Sequence, residues 1–166
     1  LKYNMSSLDE KDIQEIYESA LSDPSLFPDL NIENLLEAID EEKYENIENK
    51  TINSINEEIF DVVNSMNMKI ETKKDICKRL VGYKYVSELH EIENGKHIRW
   101  IKHDSNKLTN GGLVVNTKFT DDGAQIVCLN NARRFNQVKI NSNEIFQKLS
   151  PEEQILLMAN EYVHNG

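Results

Sequence analysis

The sequence predicts an α+β chain: acidic N-terminal helices, a small five-stranded antiparallel barrel or rolled sheet of SH3-like or OB-like type, and a C-terminal helical cap. Three observations predict it. Charge changes sign near residue 72, because residues 1–72 hold 18 acidic and 5 basic side chains whereas residues 73–166 hold 11 and 14. The apolar period shifts at the same place from helical to alternating. Turn residues such as Glu93-Asn94-Gly95 and Asp121-Asp122-Gly123 then recur at close spacing. The expected division is 1–72, an acidic helical region, and 73–166, a β-rich module with C-terminal helices.

The elements follow in order. Ser7-Leu8-Asp9-Glu10 forms a capping box ahead of Ile13, Ile16, Tyr17, Ala20 and Leu21 at helical spacing, and Asp23-Pro24 stops that helix. Asp29 or Asn31 caps a second helix with Ile32, Leu35, Leu36 and Ile39 on its apolar face and an acidic continuation through Glu41, Glu42, Glu45 and Glu48. Ile52, Ile55, Ile59, Phe60, Val62 and Val63 predict a third helix over 51–66. Lys73–Val81 reads as a short basic helix ended by Gly82. Strands are predicted over 83–89, 96–102, 113–119, 124–129 and 135–140, with Asp121-Asp122-Gly123 a tight hairpin. Asn143–Leu149 reads as a short helix. Ser150-Pro151-Glu152-Glu153 opens a final one, with Ser as N-cap, Pro at N1 and Glu at N3.

Composition bounds the function. The net charge of -10 argues against non-specific nucleic-acid binding by the whole chain. No run approaches the roughly 20 apolar residues that span a bilayer, so no membrane partner is expected. Leu1-Lys2-Tyr3-Asn4 is neither an initiator nor a signal peptide, and a fragment or trimmed chain is expected. Cys77 and Cys128 sit among apolar residues and read as buried free thiols, which points to a reducing intracellular compartment (cytoplasm) or a virion.

Alternation on the second strand puts Ile98 and Trp100 on one face and His97, Arg99, Ile101 and His103 on the other. The candidate nucleic-acid or anion-binding residues are Lys96, His97, Arg99, Lys102, Lys107, Arg133 and Arg134. Tyr83 and Tyr85 share a strand face and are the candidate stacking residues. Trp100, flanked by isoleucines, reads as core. Gly111-Gly112 matches no phosphate-loop pattern and reads as a tight corner where a side chain would clash. His90, His97 and His103 match no compact ligand spacing. No nucleophile motif is present. No catalytic residue, metal or cofactor is assigned.

Tyr83-Lys84-Tyr85-Val86-Ser87-Glu88-Leu89, Gly95-Lys96-His97-Ile98-Arg99-Trp100-Ile101 and Leu108-Thr109-Asn110-Gly111-Gly112 together resemble a pattern of uncharacterised proteins of large (nucleocytoplasmic) DNA viruses. The resemblance spans about residues 80–149 and implies a virion or virus-encoded accessory protein, with no activity to transfer. The function expected is a non-catalytic protein–protein interaction or structural component, through a protein partner or self-association. The alternative is a nucleic-acid-binding accessory factor using the basic face.

Overall fold

The computed structural model describes residues 47–165, with side chains through residue 163. The helices expected over residues 7–21 and from 29 into the forties lie outside the described residues. Glu48, expected to continue the second of them, stands in a turn in which Lys50 N donates to Ile47 O at 3.0 Å.

Contacts group the chain into two compact units, Leu1–Gly82 with Leu149–Gly166, and Tyr83–Lys148. This division differs from the one expected at residue 72. The segment 73–82 and the last helix belong with the helical unit because their apolar stripes are spent on helices.

In the helical unit, α1 spans Ile52–Asn64 and α2 spans Ile70–Arg79. Thr51 and Ser54 form a reciprocal cap on α1, with Thr51 Oγ1 accepting from Ser54 N and Ser54 Oγ accepting from Thr51 N. The C-terminal end of α1 is satisfied from α2, where Lys73 Nζ donates to Asn64 O at 2.8 Å. α3 spans Pro151–Asn165 and begins as the sequence predicts: Ser150 N donates to Glu153 Oε1 and Glu153 N donates to Ser150 Oγ. Ile47, Ile55, Leu149, Leu156 and Leu157 form one buried cluster. Asn160 Nδ2 donates to Lys50 O at 2.9 Å, which ties α3 to the segment ahead of α1.

The second unit is an antiparallel sheet of six strands: β1 Tyr83–Val86, β2 His97–Lys102, β3 Gly112–Thr120, β4 Gly123–Leu129, β5 Phe135–Lys139 and β6 Asn143–Lys148. Their order is β1-β6-β2-β3-β4-β5. The sheet is not closed, since β1 and β5 stand at its two edges; the expected SH3-like or OB-like closure is not formed. The sixth strand is a further correction, because Asn143–Lys148 was expected to be helical. Ile145 and Phe146 are both buried, on opposite faces of the strand. A strand buried on both faces shows no alternation, so its apolar run reads like a helix turn.

The main apolar cluster lies on one face, with Phe146 and Ile101 buried on the other. Val86, Ile98, Trp100, Val114, Ile126, Cys128, Val138 and Ile145 form a single buried cluster. Leu89 and Ile92 pack against it from the loop after β1, which carries a short 3-10 turn, Leu89–Glu91. That loop is bracketed by a fully buried amide: Gln147 Oε1 accepts from Glu93 N at 2.8 Å and Gln147 Nε2 donates to Glu91 O at 3.1 Å.

Gly111-Gly112 forms the tight corner the sequence predicts. Gly111 has φ +80, and a Cβ there would overlap the Ile98 carbonyl oxygen. A Cβ on Gly112 would lie 2.8 Å from Leu129 O. The backbone is therefore pinched between β2 and β4. The Asp121-Asp122 turn closes the β3–β4 hairpin, with Thr120 opposite Gly123.

Candidate functional site

The β2–β3 ladder is short, His97 with Leu113 and Ile98 with Gly112. Beyond it the two strands part. Leu108 and Thr109 take the vacated edge of β2: Thr109 N donates to Trp100 O at 2.9 Å, and Trp100 N to Thr109 Oγ1 at 3.2 Å. The parting opens a cleft of ≈ 520 Å³ on the core side of the sheet. Trp100 and Val138 form its floor. The loop after β2 supplies Thr109, Asn110 and Gly111 to its walls, and the β4–β5 loop supplies Asn130, Asn131 and Ala132. Lys102, Asn136, Gln137 and Asn143 complete it. A second hollow of ≈ 490 Å³ shares Lys102, Gln137 and Asn143 with the first and adds His103, Asp104 and Lys139.

The lining is rich in primary amides. Asn143 Nδ2 donates to Lys139 O at 2.8 Å, yet Asn143 Oδ1 is buried without a hydrogen-bond partner. Asn130 serves the wall itself, its Oδ1 accepting from Ala132 N at 2.9 Å and Arg134 N at 3.0 Å. That fold of the loop sets Arg133 at φ 59, in the left-handed region.

The opposite face carries four of the nine predicted site residues. Tyr83, Tyr85, His97 and Arg99 lie there together, half-buried. Tyr83 Oη and His97 Nδ1 are 2.9 Å apart, and Tyr85 Oη donates to Glu144 Oε2 at 2.7 Å. His103 Nε2 meets the other oxygen of Glu144 at 3.1 Å. Arg99 Nε donates to Thr109 O at 2.9 Å. Burial raises the Tyr83 hydroxyl against the opposing charge of Arg99. Tyr85 is raised by burial, by its hydrogen bond to Glu144 and by the charges of Glu144 and Glu91. His97 is held below its ordinary range by burial and by the Arg99 and Lys148 charges. The two tyrosines, expected to be open to stacking, thus have their hydroxyls engaged and their rings against His97 and Phe146.

The remaining cations are dispersed. Lys96 pairs with Glu93 at 2.6 Å. Lys107, Arg133 and Arg134 stand exposed in the two loops that wall the cleft. Lys102 alone of the predicted set lines it. Sequence reasoning missed the amides and Lys139. One signal was available: Lys102 has the strand parity of Trp100, and Asn136 that of Val138.

Glu88, His90 and Glu91 bring three ligand-type atoms within 4.8 Å of one another on the exposed 3-10 turn. His90 Nδ1 pairs with Glu88 Oε2 at 3.0 Å, an ordinary surface contact. No described helix is long and apolar enough to cross a membrane. No family model, curated protein or solved structure matches the chain.

Proposed function

We propose that this chain is a non-catalytic interaction or structural component that docks a protein through the outer face of its sheet. One observation carries the reading. Leu113, Leu129 and Phe135 stand opposite one another across β3, β4 and β5, and form an apolar row of which Leu113 is 47% and Phe135 67% exposed. Val115, set out by the bulge between Val114 and Asn116, extends it at 41% exposure. Aromatic and aliphatic side chains grouped in this way supply the buried centre of interfaces.

Arg133 and Arg134 adjoin Phe135, and Lys118 and Lys139 flank Gln125 across the same face. The complementary surface is apolar at its centre and acidic at its rim. Residues 1–72 have that chemistry, so a second copy of the chain is the first partner to test. We read the assembly as virus-encoded, in the cytoplasm or a virion, a reading that rests on the resemblance of residues 80–149, and two buried free thiols suit a reducing compartment.

The experiment is sedimentation equilibrium of the full chain beside Phe135→Asp and Leu113→Asp, at low and high salt. Concentration-dependent association that either substitution abolishes supports the reading. Association that survives both substitutions removes this face from it, and a chain monomeric throughout removes self-association.

A further inference from the structure

We propose that the groove on the core side of the sheet binds single-stranded nucleic acid, with a base in the amide-lined hollow beside Trp100 and the flanking phosphates against Lys102 and Lys139. Its floor, Trp100 and Val138, lies on the face opposite the apolar row, while Gln137 and Lys139 line it from the β5 edge and share the register of that row.

Shape is the first argument. The two hollows share Lys102, Gln137 and Asn143, so they form one elongated trough. A trough suits a linear polymer better than a compact metabolite. Its wall is set in advance by the Asn130 hydrogen bonds, which lowers the ordering cost of binding.

Chemistry is the second. A primary amide presents a donor and an acceptor side by side, the pattern of a base edge. Asn131 and Gln137 are exposed and Asn136 half-exposed at the lining, and the buried Asn143 Oδ1 is an acceptor still lacking a donor. An exocyclic amino group of a base supplies such a donor. Trp100 gives the hollow an aromatic floor.

Charge is the third. Lys102 and Lys139 line the trough beside Asp104, with Lys139 Nζ 3.9 Å from Asp122 Oδ2 at the exposed surface and the His103 ring facing Glu144. Lys107, Arg133 and Arg134 stand on the wall loops, where a backbone leaving the trough would run. The nucleic-acid surface is thus the Trp100 side of the sheet and not the Arg99 side.

Trp100 is the only tryptophan in the chain, so its emission reports on this site. The full chain is titrated at about 50 mM salt with a single strand of about 10 nucleotides, the matching duplex, an abasic strand of equal length, and neutral dextran. The expected result is quenching of Trp100 by the single strand, weakened by salt, with the abasic strand bound about tenfold less tightly. Joint Asn131→Ala and Asn136→Ala substitution lowers affinity for the base-bearing strand about tenfold and leaves the abasic strand unchanged. Lys102→Ala weakens both strands and reduces the salt slope by about one. An unchanged urea midpoint shows that the variants fold. Equal binding of abasic and base-bearing strands, preference for the duplex, quenching by dextran, or no quenching by any of them would each overturn the proposal.

Discussion

Gln147 is fully buried and holds the loop after β1 through two backbone groups, Glu93 N and Glu91 O. Replacing it by Ala removes both partners at once. Each backbone group left unsatisfied costs about 1–3 kcal/mol, and because the loop is part-buried some water can reach it. A loss of about 3 kcal/mol is expected. Gln147→Glu is more discriminating. A carboxylate still accepts from Glu93 N, but its second oxygen confronts the Glu91 carbonyl, acceptor against acceptor. Only the protonated acid restores the second hydrogen bond. Burial and this requirement raise its folded pKa above the unfolded value of about 4.3. A group with a raised folded pKa contributes stability that is complete below the unfolded pKa and lost as pH rises through the folded one. The Glu variant should therefore lie close to the parent near pH 4 and fall away from it by pH 7. Urea unfolding followed by Trp100 emission reads this directly, because the sole tryptophan lies in the same sheet. A Glu variant whose deficit relative to the parent is the same at both pH values would refute the bracket.

Gly111→Ala should prevent the sheet unit from folding or lower its stability by several kcal/mol, since the new methyl meets the Ile98 carbonyl at a positive φ; loss of the cooperative urea transition checks it. His97 is held below its ordinary range, so between that range and its folded pKa the unfolded chain binds a proton that the native chain does not; stability falls as pH drops through about 6.5, and His97→Gln should flatten that slope in melts between pH 7.5 and 5 (about). Cys77 is pushed up to about 12 by burial, against the Lys73 charge, and Cys128 is raised by burial alone, so neither thiol should react with a disulfide reagent at pH 8 (about) until urea unfolds the chain.

Local chemistry made several elements legible. Thr51 and Ser150 cap their helices through partners three residues away. Parity on β2 separated Ile98 and Trp100, which are core, from His97 and Arg99, which are not. Asp121-Asp122-Gly123 announced its hairpin, and Gly111-Gly112 its corner. Each of these depends on residues close in the chain, where steric and hydrogen-bonding rules act without knowledge of the fold.

The sheet order was not legible. β6 pairs with β1 and β2, and the Tyr83–Lys148 and Trp100–Ile145 partners lie far apart in sequence. Nothing local distinguishes Ile145-Phe146 as a strand buried on both faces from a turn of helix. The groove was hidden for a related reason. Its amides come from the loop after β2, from the β4–β5 loop and from β5 and β6, in a chain where asparagine is common everywhere.

The sequence by itself determined the α+β class, the helix caps, the β2 faces and the tight turns, because these are set by neighbours along the chain. Only the tertiary structure decided that β6 lies inside the sheet, that Lys102 rather than Arg99 reaches the groove, and that amide side chains gather beside Trp100. Those outcomes depend on which distant strands pair and where two of them part, and a linear pattern does not encode that geometry.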